Sequence, residues 1–363
     1  MITHEAARER ALLVHIDFFR FQRNSLPELR ELAVSAGAEI IGECLGKRDK
    51  PEPRYSIGEG KVEELKQQAA AQKADLVIFN HDLTPSQERN LEKTIGVRIL
   101  DRTGLILDIF ARRARTFEGK LQVELAQVQY MSSRLRGAWT HLERQRGGRI
   151  GMTGPGETQL ELDKRLLQTK VKQLNKRLSK VKNTRALSRQ SRQKSEIPTV
   201  SLVGYTNAGK STLFNSLTGE NVYVQNQLFA TLDPTLRRYR LSDEKQVVLA
   251  DTVGFIRNLP HSLVKAFSAT LEETVLADVL LHVIDASDPD HDVLIEAVHE
   301  VLEELKVLDK PMIQVMNKID LIETETLPRI DRSEDGKVIR VWVSAEKALG
   351  LDLLAQALSE CLP

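Results

Sequence analysis

Apolar residues recur in different patterns along the chain. In residues 1–110, short apolar runs alternate with stretches in which apolar positions repeat every three or four residues. The runs predict strands at residues 11–18, 39–45, 76–79 and 97–101. The repeats predict helices at residues 26–36, 61–72, 85–93 and 103–110. Strands that alternate with helices form a parallel sheet with helices on its faces, so this segment is predicted to be a small N-terminal α/β domain.

Residues 111–195 carry helical patterns only. One apolar stripe has helical spacing and consists of Leu121, Leu125, Val128, Met131 and Leu135. A second has coiled-coil spacing and consists of Leu167, Val171, Leu174, Leu178 and Val181. Residues 137–156, between the stripes, are rich in glycine and arginine. The pattern predicts a long antiparallel helical hairpin with a glycine-rich tip, followed by a polar linker at residues 183–196.

Residues 196–363 return to alternating strands and helices. The predicted strands are residues 199–203, 236–241, 246–251, 279–285, 312–317 and 338–343, and a last helix covers residues 351–359. This segment is predicted to be a third domain, of the α/β class and with a mostly parallel sheet.

Composition narrows the class of protein. A hydrophobic content of 41% and a charged content of 28% are typical of soluble globular proteins. No apolar run is long enough for a membrane span, and the first residues lack the apolar core of a signal peptide. We expect a cytoplasmic, monomeric protein without a membrane span, and peripheral association with a membrane stays open. Cys44 and Cys361 lie far apart in the chain and are expected to be reduced.

The net charge of +1 conceals a basic middle segment. Residues 112–194 contain 21 lysines and arginines and 6 acidic residues, so they carry +15 and the rest of the chain carries −14. Such segregation indicates a polyanionic partner, and we expect nucleic acid. The alternative is that the charges belong to a solvated helix face.

The residues after the strand at 199–203 fit the P-loop pattern G-x-x-x-x-G-K-[ST] and open a helix. Backbone N–H groups of such a loop surround phosphates, its lysine reaches the β- and γ-phosphates, and its serine hydroxyl ligates Mg²⁺. A tight glycine turn before a helix is the alternative. The predicted nucleotide-binding residues here are Gly204, Asn207, Ala208, Gly209, Lys210, Ser211 and Thr212.

Further motifs follow at the ends of later predicted strands, in the order of a GTPase. Asp251 and Gly254 form D-x-x-G, which holds the Mg²⁺ shell and meets the γ-phosphate. N-K-x-D follows, and its carboxylate accepts from two nitrogens that guanine has and adenine lacks. A backbone N–H after the last strand is predicted to meet the guanine carbonyl. The predicted guanine-side residues are Asn317, Lys318, Asp320, Ser344 and Ala345.

A switch threonine is expected between the P-loop and D-x-x-G. Thr231 is the first candidate and Thr235 the second. The predicted metal ligands are Ser211, Thr231 and Asp251, and the predicted catalytic residues are Lys210, Thr231 and Gly254.

Phe255 follows D-x-x-G, where many signalling GTPases carry a glutamine that orients the attacking water. We expect a partner or a repositioned loop to supply the missing stabilisation. That Phe255 simply fills the core, with catalysis carried elsewhere, is compatible with this expectation. In both cases we expect slow intrinsic hydrolysis, on the order of 10⁻⁴–10⁻² s⁻¹.

Together these motifs resemble those of the HflX GTPases of the Obg-related group, over nearly the full length. The matching segments include GYTNAGKS at 204–211, FATLDP at 229–234, DTVGF at 251–255 and the tip ending in GPGETQLE at 154–161. The resemblance implies GTP and GDP as ligands with Mg²⁺. An asparagine placed like Asn207 holds K⁺ in some similar loops. Other members often carry a further C-terminal domain, whose function is expected to be absent here or carried otherwise.

The resemblance also implies a partner, the large ribosomal subunit, with the hairpin reaching ribosomal RNA. It implies that the GTP state splits stalled or idle ribosomes, particularly after heat stress. An RNA-remodelling or RNA-modification-associated NTPase acting on free RNA is the alternative. Trp139 and His141 could stack on bases or pack within the hairpin. The candidates for phosphate contacts are Arg134, Arg136, Arg144, Arg146 and Arg149.

Overall fold

A computed structural model describes most of the chain, namely residues 8–18, 26–137, 155–193, 197–219, 228–242, 245–257, 260, 263, 271–322 and 327–362. The chain divides into two compact units. The first unit is Met1–Arg112 with Val123–Arg177, and the second is Arg113–Gln122 with Leu178–Pro363. The division into three segments, drawn from the sequence, stays a prediction.

The first unit contains the predicted N-terminal α/β fold. Its elements are β1 (Arg10–Phe18), α1 (Leu26–Ser35), β2 (Glu39–Arg48), α2 (Glu59–Gln72), β3 (Leu76–Phe79), α3 (Pro85–Ile95), β4 (Arg98–Leu100) and α4 (Arg102–Arg113). The strands lie in the order β2-β1-β3-β4 and every neighbouring pair is parallel. Apolar side chains such as Leu12, Val14 and Val77 bury between the sheet and its helices, which confirms the predicted class.

Two long helices occupy the middle of the chain, α5 (Phe117–Gly137) and α6 (Pro155–Gln193). The described part of α6 shows the predicted stripe, because Leu174 and Leu178 are buried while the lysines around them are exposed. Lys170 of α6 forms an ion pair with Glu124 of α5, with 2.8 Å between nitrogen and oxygen. Met131 departs from the first stripe, since 54% of its surface is exposed.

The predicted linker at residues 183–196 is wrong for most of its length, because α6 continues to Gln193. The segment is polar and contains three serines, but it has no proline or glycine before Pro198, and its arginines, glutamines, alanine, leucine, lysine and glutamate are good helix formers. These residues propagate a helix well, so polarity alone was a poor indicator of a break.

The second unit contains a seven-stranded sheet in the order β10-β11-β9-β8-β5-β7-β6. Its strands are β5 (Thr199–Val203), β6 (Thr235–Arg240), β7 (Gln246–Asp251), β8 (Val279–Asp285), β9 (Met312–Asn317), β10 (Arg329–Arg332) and β11 (Val338–Trp342). Its helices are α7 (Lys210–Thr218), α8 (Glu272–Leu276), α9 (His291–Glu304), α10 (Leu351–Cys361) and a 3₁₀ turn, Ile319–Leu321.

The sheet is mostly parallel, as predicted, and its two edge strands are antiparallel to their neighbours. The edge strand β10 is absent from the sequence prediction. Its four residues, Arg-Ile-Asp-Arg, include one apolar side chain, so its strand conformation comes from pairing with β11. Among the helices that the structure describes, none combines the length and apolar character that crossing a bilayer requires.

Candidate nucleotide-binding site

The predicted P-loop lies where the second unit's sheet changes winding direction. It follows β5, whose parallel neighbours β7 and β8 lie on opposite sides. In open α/β sheets, ligands bind beyond the carboxyl ends of the strands at such a point. A cleft of about 460 Å³ opens there. The lining residues come from each predicted motif and include Asn207, Gly209, Lys210, Ser211, Thr212, Thr231, Gly254, Asn317, Lys318, Asp320 and Ala345.

The loop is shaped for a phosphate. Gly209 precedes α7 with a φ of 93°, a left-handed conformation that glycine adopts without steric cost. Lys210, the first residue of α7, is buried, and its Nζ donates to the carbonyls of Gly204 at 3.1 Å and Tyr205 at 2.7 Å. Burial lowers the pKa of Lys210 to about 8, and the charge of Asp251 acts in the opposite direction. An anion in the cleft would meet a positive charge that is already held in place.

Three oxygen-bearing side chains converge beside the loop. Asp251 Oδ2 accepts from Ser211 Oγ at 2.7 Å and from Thr231 Oγ1 at 3.1 Å, and the two hydroxyl oxygens are 2.8 Å apart. Burial raises the pKa of Asp251, while the hydrogen bond from Ser211 and the charge of Lys210 oppose that rise. The second carboxylate oxygen, Oδ1, is buried and has no hydrogen-bond partner among the described residues.

This cluster fits Mg²⁺ by its chemistry. Hard oxygen ligands suit that ion, which keeps several waters and takes few protein ligands when phosphates complete its shell. The partnerless Oδ1 of Asp251 is an acceptor that a metal-bound water would satisfy.

The structure distinguishes between the two switch candidates. Thr231 reaches the cluster, whereas Thr235 begins β6 and pairs with Asp251 through the strand register. Leu232 and Phe229 are each 2% exposed, and Phe229 has a φ of 56°, which is costly for an aromatic residue. Buried side chains on both sides therefore fix the backbone that presents Thr231.

The base end of the cleft is built around Asn317. Its Nδ2 donates to the Ala208 carbonyl at 2.9 Å, and its Oδ1 accepts from the Ala345 N–H at 2.9 Å. The P-loop and the loop after β11 are thus tied to one side chain. Among the backbone N–H groups after the last strand, one of which is predicted to meet guanine, that of Ala345 is engaged by this bond. Asp320 is exposed at the cleft. Ser344 is fully buried.

Sequence reasoning missed the partner of Lys318. The Nζ of Lys318 lies 2.6 Å from Asp285 Oδ2, and the register of β8 and β9 pairs Asp285 with Asn317. Asp285 ends a buried strand, the third strand after the P-loop in sequence, and that position was an available signal. Phe229 and Thr206 also line the cleft without having been predicted.

Phe255 fills the core, and the source of the missing catalytic stabilisation stays a prediction. Its side chain is fully buried, so it cannot meet an attacking water. Its backbone extends the pairing of β5 with β7, because Phe255 N donates to the Gly204 carbonyl and Thr206 N donates to the Phe255 carbonyl. Gly254 is held against the P-loop: a Cβ there would lie 3.0 Å from Lys210 Nζ.

Arg134 does not lie where a phosphate contact requires. Its guanidinium forms ion pairs with Asp101 and Glu88 and donates to the Leu83 carbonyl, with only 17% of the side chain exposed. The prediction for Arg134 is therefore corrected: the side chain joins α5 to the carboxyl end of β4. The side chain of Arg136 lies outside the described residues, as do Trp139, His141, Arg144, Arg146 and Arg149.

The fold and the cleft define the class of P-loop GTPases. Family models agree along the chain: "GTP-binding GTPase N-terminal" matches residues 23–111, "GTP-binding GTPase Middle Region" matches residues 113–192, and "50S ribosome-binding GTPase" matches residues 199–318.

Curated relatives narrow the class further. The chain is 56% identical to GTPase HflX of Escherichia coli (strain K12), over 98% of the chain and 83% of the relative. It is 50% identical to GTPase HflX of Caldanaerobacter subterraneus subsp. tengcongensis, over 97% of the chain and 80% of the relative. The chain belongs to the HflX family of GTPases and is a GTP-hydrolysing enzyme.

A solved structure supports the fold over both units. The crystal structure of SsGBP in complex with GDP is 26% identical to the chain, with a TM-score of 0.53, and the match covers 97% of this chain and 98% of that one.

Proposed function

We propose that this GTPase is a ribosome-bound switch that associates with the large ribosomal subunit and splits stalled or idle ribosomes, particularly under heat stress. The observation that carries the proposal is the convergence of Thr231, Ser211 and Asp251 beside the P-loop. A threonine brought to the metal site from a separate loop makes that loop sensitive to the γ-phosphate. A nucleotide-sensitive loop is what a switch needs.

The residues of the cleft then take separate roles. Backbone N–H groups from Gly204 to Thr212 and the Lys210 ammonium hold the phosphates. Ser211, Thr231 and Asp251 would hold Mg²⁺, which when bound would supply positive charge against the phosphates. Gly254 presents its N–H to the γ-phosphate, and Asp320 accepts from guanine. Asn207 lies exposed at the cleft, where we propose that its side-chain oxygen holds K⁺.

Two observations support the partner. The middle segment carries a net charge of +15, and on α6 the exposed cations include Arg165, Lys172 and Lys176. A polyanion releases counterions on meeting such a surface, which favours binding. The second unit also matches a model described as a 50S ribosome-binding GTPase. Because Phe255 stands where many GTPases have the glutamine that orients the attacking water, we propose that the bound large subunit accelerates hydrolysis.

Co-sedimentation with purified ribosomal subunits tests the proposal. The protein is incubated with large or small subunits and GTP, GDP or a non-hydrolysable analogue, and hydrolysis is measured in parallel. We expect binding to large subunits with GTP or the analogue, and a rate increase of at least about tenfold. Equal binding to any RNA, with every nucleotide and without stimulation, would instead favour the alternative of an NTPase that acts on free RNA.

A charge-reversal variant locates the contact. Changing Arg144, Arg146 and Arg149 together to Glu is expected to abolish subunit binding and to leave GDP affinity unchanged. The matched control changes three exposed cations of the first unit, Lys50, Lys66 and Arg89, to Glu, with the same effect on net charge. Loss of binding in both variants would mean that net charge, rather than the hairpin tip, carries the interaction.

A further inference from the structure

Helix α5 begins with an incomplete capping arrangement. Thr116 is its N-cap, because Thr116 Oγ1 accepts from Gly119 N at 2.9 Å and the Thr116 carbonyl accepts from Lys120 N at 3.0 Å. In a complete capping box, the side chain of the third helical residue accepts from the N–H of the N-cap. Here that residue is Gly119, which has no side chain.

Helix α3 of the same protein shows the complete form. Gln87 N donates to Thr84 Oγ1 at 3.3 Å, and Thr84 N donates to Gln87 Oε1 at 2.9 Å. The two helices therefore start alike, with a threonine N-cap, and differ at the third helical position. The acceptor that α5 lacks locally must come from elsewhere in the chain.

Asp233 supplies it. Its Oδ2 accepts from Thr116 N and from Arg115 N, both at 2.9 Å, and its Oδ1 accepts from Thr116 Oγ1 at 2.5 Å. All of these residues belong to the second unit. The carboxylate stands where a glutamate of a capping box would stand, and its negative charge meets the positive end of the helix dipole.

Gly119 is the residue type that this arrangement requires. A Cβ at position 119 would overlap Asp233 Oδ1 and lie 3.1 Å from Thr116 Oγ1. Glycine is among the poorest helix formers, and alanine would normally strengthen a helix at this position. The absent side chain therefore makes room for the carboxylate of Asp233.

Asp233 lies two residues after Thr231. Leu232, between them, is 2% exposed, so the short segment is held by its core side chain and by the carboxylate. We infer that Asp233 is a positioning residue for GTP hydrolysis: by completing the cap of α5, it holds Thr231 at the metal site. This inference rests on the role proposed for Thr231 as a metal ligand.

A double-mutant cycle between Gly119 and Asp233 tests the positioning role of Asp233. The measured quantity is the rate of single-turnover GTP hydrolysis without ribosomes. Gly119→Ala is expected to lower the rate by about fivefold or more and to raise the Mg²⁺ concentration needed for half-maximal rate. GDP affinity should change by less than about twofold, since the threonine acts in the GTP state. In an Asp233→Ala background, Gly119→Ala should have no further effect, because the displaced carboxylate is already gone.

The controls separate positioning from stability. Gly60→Ala, in the first turn of α2 where a Cβ meets nothing within 4 Å, should behave as wild type. Thr116→Ser keeps the hydroxyl and should retain the wild-type rate, whereas Thr116→Val should lose rate and Mg²⁺ affinity together. Thermal melting of every variant shows whether a loss of rate comes from unfolding instead.

Two results would overturn the inference. One is a wild-type rate and Mg²⁺ dependence in both Gly119→Ala and Thr116→Val. The other is fully additive losses in Gly119→Ala combined with Asp233→Ala. If Thr231→Ala itself hydrolyses GTP normally, the proposed role of Thr231 fails first. If Thr231→Ala is slow while the capping variants are not, only the role of Asp233 fails.

Discussion

The hydroxyl oxygens of Thr231 and Ser211 lie 2.8 Å apart, and both side chains donate to the same oxygen of Asp251. Ser211 belongs to the P-loop helix, while Thr231 comes from a loop whose backbone is fixed by buried neighbours. This contact links the P-loop, which is expected to bind the phosphates, to the Thr231 loop, which is expected to respond to the γ-phosphate. The first prediction follows from this contact.

Replacing Thr231 with Ala should slow GTP hydrolysis by about 10- to 100-fold, because one oxygen of the metal site is lost. GDP affinity should change little. Thr235→Ala is the matched control and should stay within about twofold of wild type, since Thr235 lies in β6. Single-turnover hydrolysis with labelled GTP measures both. Equal losses in the two variants would contradict the assignment of Thr231.

Asp320 is predicted to select guanine. In Asp320→Asn, one carboxylate oxygen becomes an NH₂ group that faces the N–H donors of guanine, and GTP affinity should fall by about 100-fold. Xanthine presents a carbonyl in place of the exocyclic amine, so the variant should bind xanthosine nucleotides better than wild type does. Asp352→Asn, an exposed acid on α10, serves as the control. Titration with fluorescent GDP and competing nucleotides measures the change, and unchanged preference would refute the role.

Arg134→Met is expected to destabilise the protein by about 2–3 kcal/mol, because it leaves Asp101 buried without its cation. Burial already raises the pKa of Asp101 and raises that of Glu88 to about 7. Without Arg134 the pKa of each carboxyl should rise further, so the folded state holds protons that the unfolded state releases. The loss of stability should therefore be larger at pH 8 than at pH 5.

Thermal or denaturant unfolding measures this effect. Arg30→Met removes an exposed ion pair with Glu43 and should cost much less stability than Arg134→Met. Binding to large subunits should persist in folded Arg134→Met. A stable variant with weakened subunit binding would restore Arg134 as a phosphate contact.

His282 should make the second unit sensitive to acid. The side chain is buried in β8, its Nδ1 has no hydrogen-bond partner among the described residues, and burial lowers its pKa to about 3. The unfolded chain binds a proton near pH 6.5, so stability is lost as pH falls below that value, by up to about 1.4 kcal/mol per pH unit. His282→Leu should flatten this dependence between pH 6.5 and 5, and parallel unfolding curves for variant and wild type would count against it.

Asn207 is predicted to make hydrolysis depend on the monovalent cation. Its side chain lies exposed at the cleft, and K⁺ beside the phosphates would stabilise charge that develops during hydrolysis. The rate should be several-fold higher in KCl than in NaCl at equal ionic strength, and Asn207→Ala should remove the difference. Identical rates in the two salts would exclude the site.

Local patterns predicted the elements of the nucleotide cleft well. Strands β5, β7, β8 and β9 have their predicted bounds, because each is an apolar run between polar residues and is buried in the sheet. Strand β10 and the end of α6 were missed or misplaced. Strand β10 was missed because its strand conformation depends on edge pairing with β11. The end of α6 was misplaced because the polar residues predicted to form a linker continue the helix.

The sequence by itself determined the P-loop and the guanine motif, and it predicted the metal ligands. The P-loop and the guanine motif each consist of neighbouring residues whose spacing is set by the phosphate or base that they contact, so their chemistry can be identified without the fold. Only the tertiary structure showed that Arg134 pairs with the buried Asp101, that Lys318 pairs with Asp285, and that Asp233 caps α5. These contacts join residues distant in the chain, and only the packing of strands and helices brings such groups within hydrogen-bond distance.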